Sequence, residues 1–300
     1  MTNPSIIQCA AVQQRCGPDR DANLASSAAL IRDAAARGAQ LVVLQELHGT
    51  PYFCQTEDTA VFDLAEPIPG PTTGFLGELA GHYGIVIVGS VFEKRCSGVY
   101  HNTAVVLDND GSLAGVSRKM HIPDDPGFHE KFYFTPGDAD DGAFRPVATG
   151  LGPLGVLVCW DQWYPEAARL MALAGARILI YPTAIGWDPN DDGAEKQRQL
   201  DAWITVQRGH AIANHLAVIA PNRQGHEPAP DGSGPGIDFW GNSFICGPQG
   251  EMLVQGEASG DQVLMAGIHT DRTDALRRIW PHLRDRRIDA YADLTKRLRD

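Results

Sequence analysis

Three side chains fall where strand ends could deliver them for acyl chemistry. Cys159 follows the apolar stretch 154–158 and precedes Trp160-Asp161-Gln162-Trp163-Tyr164-Pro165-Glu166. Pro165 suits the first turn of a helix, so the thiol sits on a strand-to-helix turn. Backbone N–H groups near a helix start lower a thiol pKa and can hold an oxyanion, which is the setting of a nucleophile. Glu46 lies just past the apolar run 41–44. A carboxylate there can take the thiol proton and return it to a leaving amine. Lys119 can hold that carboxylate ionised and stabilise a tetrahedral oxyanion. Taken singly, each has a plain alternative: a packed thiol, a capping or surface glutamate, a solvated lysine.

The elements that must position these groups come in two similar sets. Residues 27–37 read as an Ala-rich helix ended by Gly38-Ala39, with a buried strand at 41–44. Residues 165–174 read as a helix ended by Gly175-Ala176, with a strand at 178–181. Aligned, the two segments place Glu46 opposite Thr183. The likeness continues in strands at 85–88 and 216–219. It extends to strands 102–106 and 242–245, which turn through Asn109-Asp110-Gly111 and Pro248-Gln249-Gly250. Two such α/β halves, packed sheet to sheet, predict a four-layer α-β-β-α sandwich with an internal pseudo-repeat, although helix–Gly-Ala–strand units are common in unrelated halves. No linker interrupts residues 1–300, so a single domain is expected. The segment 228–236 reads as a surface loop. The Arg- and Asp-rich tail, about 271–300, is expected to pack at an interface.

Composition narrows the partners. The chain has 300 residues, 43% hydrophobic and 21% charged, with a net charge of −12. A large core is available, and the negative balance disfavours nucleic acid and anionic membrane. No secretory signal and no bilayer-length apolar run is visible. The six cysteines, at 9, 16, 54, 96, 159 and 246, contain no CxxC pair, and the ten histidines contain no HxH or HExxH. No metal and no cofactor are therefore expected, and a reducing cytoplasm is the natural location.

Joined together, the pattern resembles the nitrilase superfamily of carbon–nitrogen hydrolases over nearly the whole chain. The carrying blocks are Arg118-Lys119-Met120-His121-Ile122-Pro123 and Cys159-Trp160-Asp161-Gln162-Trp163-Tyr164-Pro165-Glu166-Ala167-Ala168-Arg169. The resemblance implies the α-β-β-α fold, a Glu46–Lys119–Cys159 triad, homo-oligomers of dimers or larger, and a small-molecule amide substrate. It further implies that Glu130 orients Lys119 and the bound amide. The backbone N–H of Trp160 is expected to act as a supporting oxyanion donor.

Within the superfamily, segments 121–127, 130–138 and 181–186, with Asn222-Arg223, resemble the branch that hydrolyses N-carbamoylputrescine. Two positions depart from that branch. Trp187-Asp188-Pro189 stands where Ser-Glu-Pro is common, and His129 stands where aromatics are frequent. Candidate substrate contacts are Tyr52, Asp125, Thr183, Ala184, Trp187 and Asp188. Asp124 is a further acid nearby, and Arg118, Lys131 and Arg223 are nearby bases that can pair with the aspartates. N-carbamoyl-β-alanine and ω-amides are the alternative substrates. A papain-like site with His121, His129 or His210 as base lacks the matching order and flanks. A metal-dependent amidohydrolase lacks ligand spacing. A non-catalytic amide-binding protein of this fold would not need all three triad residues.

Overall fold

The computed structural model describes residues 5–139, 143–230, 232 and 234–299. The first half contains β1 (Ile6–Gln13), α1 (Arg20–Ala36), β2 (Leu41–Val43), α2 (Pro71–Tyr83), β3 (Val86–Cys96), β4 (Val99–Leu107) and β5 (Leu113–Arg118). Then follow α3 (Glu130–Tyr133), β6 (Val147–Thr149), β7 (Gly152–Val156), α4 (Pro165–Leu173), β8 (Ile178–Ile180), β9 (Gly186–Trp187) and α5 (Gly193–Asn214). The chain closes with β10 (Ala217–Ala220), β11 (Gln224–Glu227), β12 (Ile237–Trp240), β13 (Phe244–Cys246), β14 (Met252–Gln255), β15 (Gln262–His269) and α6 (Thr270–Ile279).

The repeat expected from the sequence is visible in the strand order. One sheet runs β15-β1-β2-β3-β4-β5 and the other β14-β13-β10-β8-β7-β6. In the first, β1, β2 and β3 pair in parallel before β4 and β5 turn antiparallel. In the second, β7, β8 and β10 are parallel and β13 and β14 antiparallel. A third sheet, β11-β12-β9, lies outside both and had no counterpart in the sequence reading.

Side-chain alternation builds the four layers. Ile7, Cys9, Leu41 and Val43 meet Val156, Ile178 and Ile180 in one buried cluster between the sheets. The intervening Ala10, Val12, Val42 and Leu44 face Ile31 and Ala34 of α1 and Leu76 and Ala80 of α2. Likewise Leu179, Tyr181 and Val218 face α4 and α5. Strands covered on both faces read as continuous apolar runs, which is why 41–44 and 178–181 stand out. Truncating one such residue, for instance Ile180→Ala, would cost about 2–5 kcal/mol.

Helix α1 starts earlier than its apolar pattern suggests. The Asp19 side chain accepts from the N–H groups of Asp21 and Ala22 and caps a polar first turn. The expected loop 228–236 connects β11 to β12, with Asp231 and Ser233 outside the described residues. Of the tail, Asp300 is outside them as well. Among the described residues, no helix is long and apolar enough to cross a membrane.

Candidate active site

The ladder beside β7 continues up to the thiol. Leu157 N–H donates to Ile180 O and Cys159 N–H to Pro182 O, both at 2.9 Å. There the chain turns: Cys159 has φ of 44°, in the left-handed region, and opens a short 3₁₀ turn, Cys159–Trp163, before α4. A non-glycine residue held there costs on the order of 1–3 kcal/mol and persists only where its surroundings fix it.

Glu46 and Lys119 arrive from the other sheet. Glu46 N–H donates to Thr183 O at 3.4 Å, so the two ends that the repeat aligns meet in space. Lys119 follows β5, and its Nζ donates to Glu46 Oε1 at 2.9 Å and to Glu130 Oε2 at 2.6 Å. Asn102 Nδ2 donates to Glu46 Oε1 at 2.6 Å, and Tyr52 OH donates to Glu130 Oε1 at 2.7 Å. Glu46 and Lys119 are 0% exposed and Glu130 is 1% exposed. Among the described residues, Glu46 Oε2 is buried without a hydrogen-bond partner.

One ammonium here serves two carboxylates. Burial opposes the Lys119 charge, but Glu130 and Glu46 outweigh it and hold the amine well above the ordinary lysine range. Only one negative charge is balanced, and the excess appears on Glu130. Burial first, then Glu46, pushes its carboxyl up despite the Lys119 contact. Cys159 goes the opposite way from the sequence expectation. Burial, followed by the Glu46 carboxylate, pushes its thiol well above the usual value, and Lys119 offsets only part of this. The resting cysteine is a neutral thiol, so its proton must leave during attack. The unpaired Glu46 oxygen is the available acceptor.

A cavity of about 410 Å³ opens onto this cluster. Cys159, Trp160, Glu130 and Ala184 form its inner wall, and Phe128, Ile185 and Trp240 give it apolar sides. Asp125, Asp188 and Asp191 line it as well, and no Lys or Arg does among the described residues. Cys159 Sγ lies 4.0 Å from Ala184 O.

Several predicted contacts sit elsewhere. Tyr52 and Thr183 are not among the lining residues, and each touches a charged member of the cluster. Trp187 is also absent from the wall: its Nε1 donates to Lys196 O at 2.9 Å and its ring packs on Trp240. Strand β9 pairs with β12, and that pairing turns the indole away. Arg118 grips Glu93 with Nε and Nη2 at 2.8 and 2.6 Å. Arg223 is fully buried, bound to Glu227 at 2.6 Å and to the carbonyls of Leu47 and Glu46 at 2.9 and 3.2 Å. It braces the turn after Glu46. Sequence reasoning did not assign functions to Asn102, Asp161 or Asp191. Asn102 stands between His101 and Thr103 on β4, three buried polar residues in a row that no local sequence pattern marks as a site. Among the described residues, no histidine bonds Cys159, and no three His, Cys, Asp or Glu side chains are grouped to hold a metal.

Comparison with known proteins places the chain in a family. The sequence matches the carbon-nitrogen hydrolase family over residues 8–278. It is 42% identical to an N-carbamoylputrescine amidase from Arabidopsis thaliana over 287 residues, covering 95% of this chain and 94% of that relative. It is 39% identical to a citrullinase from Francisella tularensis over 292 residues, covering 97% and 99%. A crystal structure of a carbon–nitrogen hydrolase from Helicobacter pylori G27 superposes with a TM-score of 0.94 at 51% identity, covering 98% of this chain and 100% of that one. The chain thus belongs to the carbon–nitrogen hydrolases of the nitrilase superfamily and is an enzyme that hydrolyses carbon–nitrogen bonds in linear amides.

Proposed function

We propose that this enzyme hydrolyses N-carbamoylputrescine to putrescine, carbon dioxide and ammonia through a thioester on Cys159. Glu46 takes the thiol proton as sulfur bonds to the carbamoyl carbon. The oxyanion rests on Lys119 Nζ and the Trp160 N–H. Collapse breaks a carbon–nitrogen bond, and Glu46 protonates the departing amine or ammonia. Water, deprotonated by the same Glu46, adds to the thioester and releases the thiol with a carbamic acid. That acid splits into carbon dioxide and the second amine. Glu130 orients Lys119 and the bound amide.

The observation that carries the substrate reading is the charge of the cavity wall. Three aspartates line it beside a reactive end that suits a ureido group, and no Lys or Arg accompanies them among the described residues. A protonated distal amine fits such a wall; a distal carboxylate needs a cation. N-carbamoyl-β-alanine ends in a carboxylate, and citrulline carries one beside its amine. Ammonia release from the three ureido compounds, with an ω-amide as fourth, tests the reading. N-carbamoylputrescine is expected to lead.

The two halves act as one catalytic unit in this reading, since each contributes to the cavity. The tail supports assembly into homo-oligomers. Ile279, Ile288, Leu294 and Leu298 are exposed by 72%, 73%, 64% and 80%, more apolar surface than a lone surface segment usually shows. Sedimentation of the chain with and without residues 280–300 distinguishes a tail-built dimer from a monomer. A cytoplasmic location accords with the absence of a cysteine-pairing pattern.

A further inference from the structure

Asp161 lies two residues past Cys159 and is 1% exposed. Its carboxylate gathers four contacts from two loops. Oδ2 accepts from the Val158 N–H at 2.9 Å. Oδ1 accepts from the N–H groups of Met120 and His121 at 3.3 and 2.9 Å, and lies 2.7 Å from His121 Nδ1. Val158 immediately precedes the left-handed Cys159. Met120 and His121 immediately follow Lys119. The His121 ring in turn stacks on Tyr164, beyond the elbow, with centroids 3.7 Å apart and planes at 7°.

These contacts solve a problem that the sheets leave open. Lys119 follows β5 in one sheet and Cys159 follows β7 in the other, so no strand ladder sets the distance between them. Ser117 Oγ donates to Val156 O at 2.6 Å, a neutral link two residues before Lys119. We propose that Asp161 is a positioning residue, a clamp that fixes the Lys119 ammonium relative to the Cys159 thiol and holds the strained elbow closed. A buried carboxylate suits this task because it is acceptor-only, and every one of its neighbours here is an N–H. An asparagine would turn an NH2 group against one of those donors and open that side of the clamp. The inference rests on the assignment of Cys159 as nucleophile.

The test compares Asp161→Asn, His121→Ala and Cys159→Ala with the parent, using kcat and KM per folded molecule, with the folded fraction from thermal melting. A misplacement of about an ångström between reacting groups costs roughly 100-fold. Asp161→Asn is therefore expected to lower kcat about 100-fold while KM stays within about threefold. His121→Ala removes one of the four contacts at a partly exposed side chain, and a fall of several-fold in kcat at constant KM is expected. A kcat for Asp161→Asn within about threefold of the parent overturns the inference. So does a loss that the unfolded fraction explains, or one in which KM rises as much as kcat falls. Should Asp161→Asn fail to fold, His121→Ala decides: lowered kcat at constant KM supports the clamp, and unchanged kcat overturns it. Activity in Cys159→Ala would instead refute the nucleophile assignment, an outcome separable from all of these.

Discussion

The two ends of the cavity are built by opposite rules. At the reacting end Glu130 lines the cavity and is 1% exposed; behind it Glu46 and Lys119 are 0% and Asp161 1% exposed, all with fixed partners. At the rim Asp125 and Asp188 are exposed, and Asp188 takes the backbone N–H of Asn190 at 2.8 Å. Changing a buried group strands its partner as an uncompensated charge. Changing a rim group returns it to water at small cost. On the proposed reading, the bond-breaking chemistry is locked into the fold, whereas the choice of substrate tail rests on exposed side chains.

Replacing the nucleophile should therefore have the largest effect. Cys159→Ala and Cys159→Ser are expected to lower ammonia release by several orders of magnitude in a folded protein. Turnover by Cys159→Ala within about tenfold of the parent would break the account at its root. Next come the buried charges. Glu46→Gln should slow single-turnover acylation by about 100- to 10,000-fold, the usual worth of a proton shuttle. Acylation at the parent rate would remove Glu46 from that role.

Lys119→Met should damage the fold as well as the chemistry, because Glu46 and Glu130 would face each other without a cation. Breaking such a buried pair costs about 3–5 kcal/mol, readable in a urea melt. A variant as stable as the parent would show that the reacting end is not the locked region described above.

The rim should respond more mildly. Asp188→Asn is expected to lower kcat/KM for N-carbamoylputrescine by roughly 10- to 100-fold while sparing a neutral carbamoyl amine of equal length. Equal losses on both substrates would assign Asp188 to the architecture of the pocket. A further prediction concerns pH. Burial and Glu46 hold the Cys159 thiol above its ordinary pKa, so the thiolate fraction grows as pH rises toward that value. Alkylation of Cys159 by a neutral haloacetamide should climb about tenfold per pH unit through pH 9 without a plateau. A plateau near neutrality would mean a preformed thiolate.

Much of this contrast was legible in the sequence. Strands buried on both faces, β2 and β8, announce themselves as unbroken apolar runs, and they locate Glu46 and Thr183. The motifs around Lys119 and Cys159 were equally plain, and the structure brings both side chains to one cluster. What escaped depends on several chain segments at once. Asp161 sits among aromatic residues with no periodic mark, and apart from Val158 its partners lie about forty residues away in the other half. The direction of the thiol shift follows from its burial first, and then from two carboxylates set against one lysine in a shared volume. The orientation of Trp187 is decided by a pairing with β12 that no local pattern displays. Even the start of α1 depended on a cap, Asp19, ahead of the apolar periodicity.

The central claim is a thiol hydrolase whose acidic wall selects a cationic ureido amine. Its most direct test is kcat/KM of the purified parent for N-carbamoylputrescine and N-carbamoyl-β-alanine, measured side by side by ammonia release. The two share the scissile group and differ in the charge of the tail. A preference of roughly 100-fold for N-carbamoylputrescine is expected. Equal rates, or a preference for N-carbamoyl-β-alanine, would contradict it.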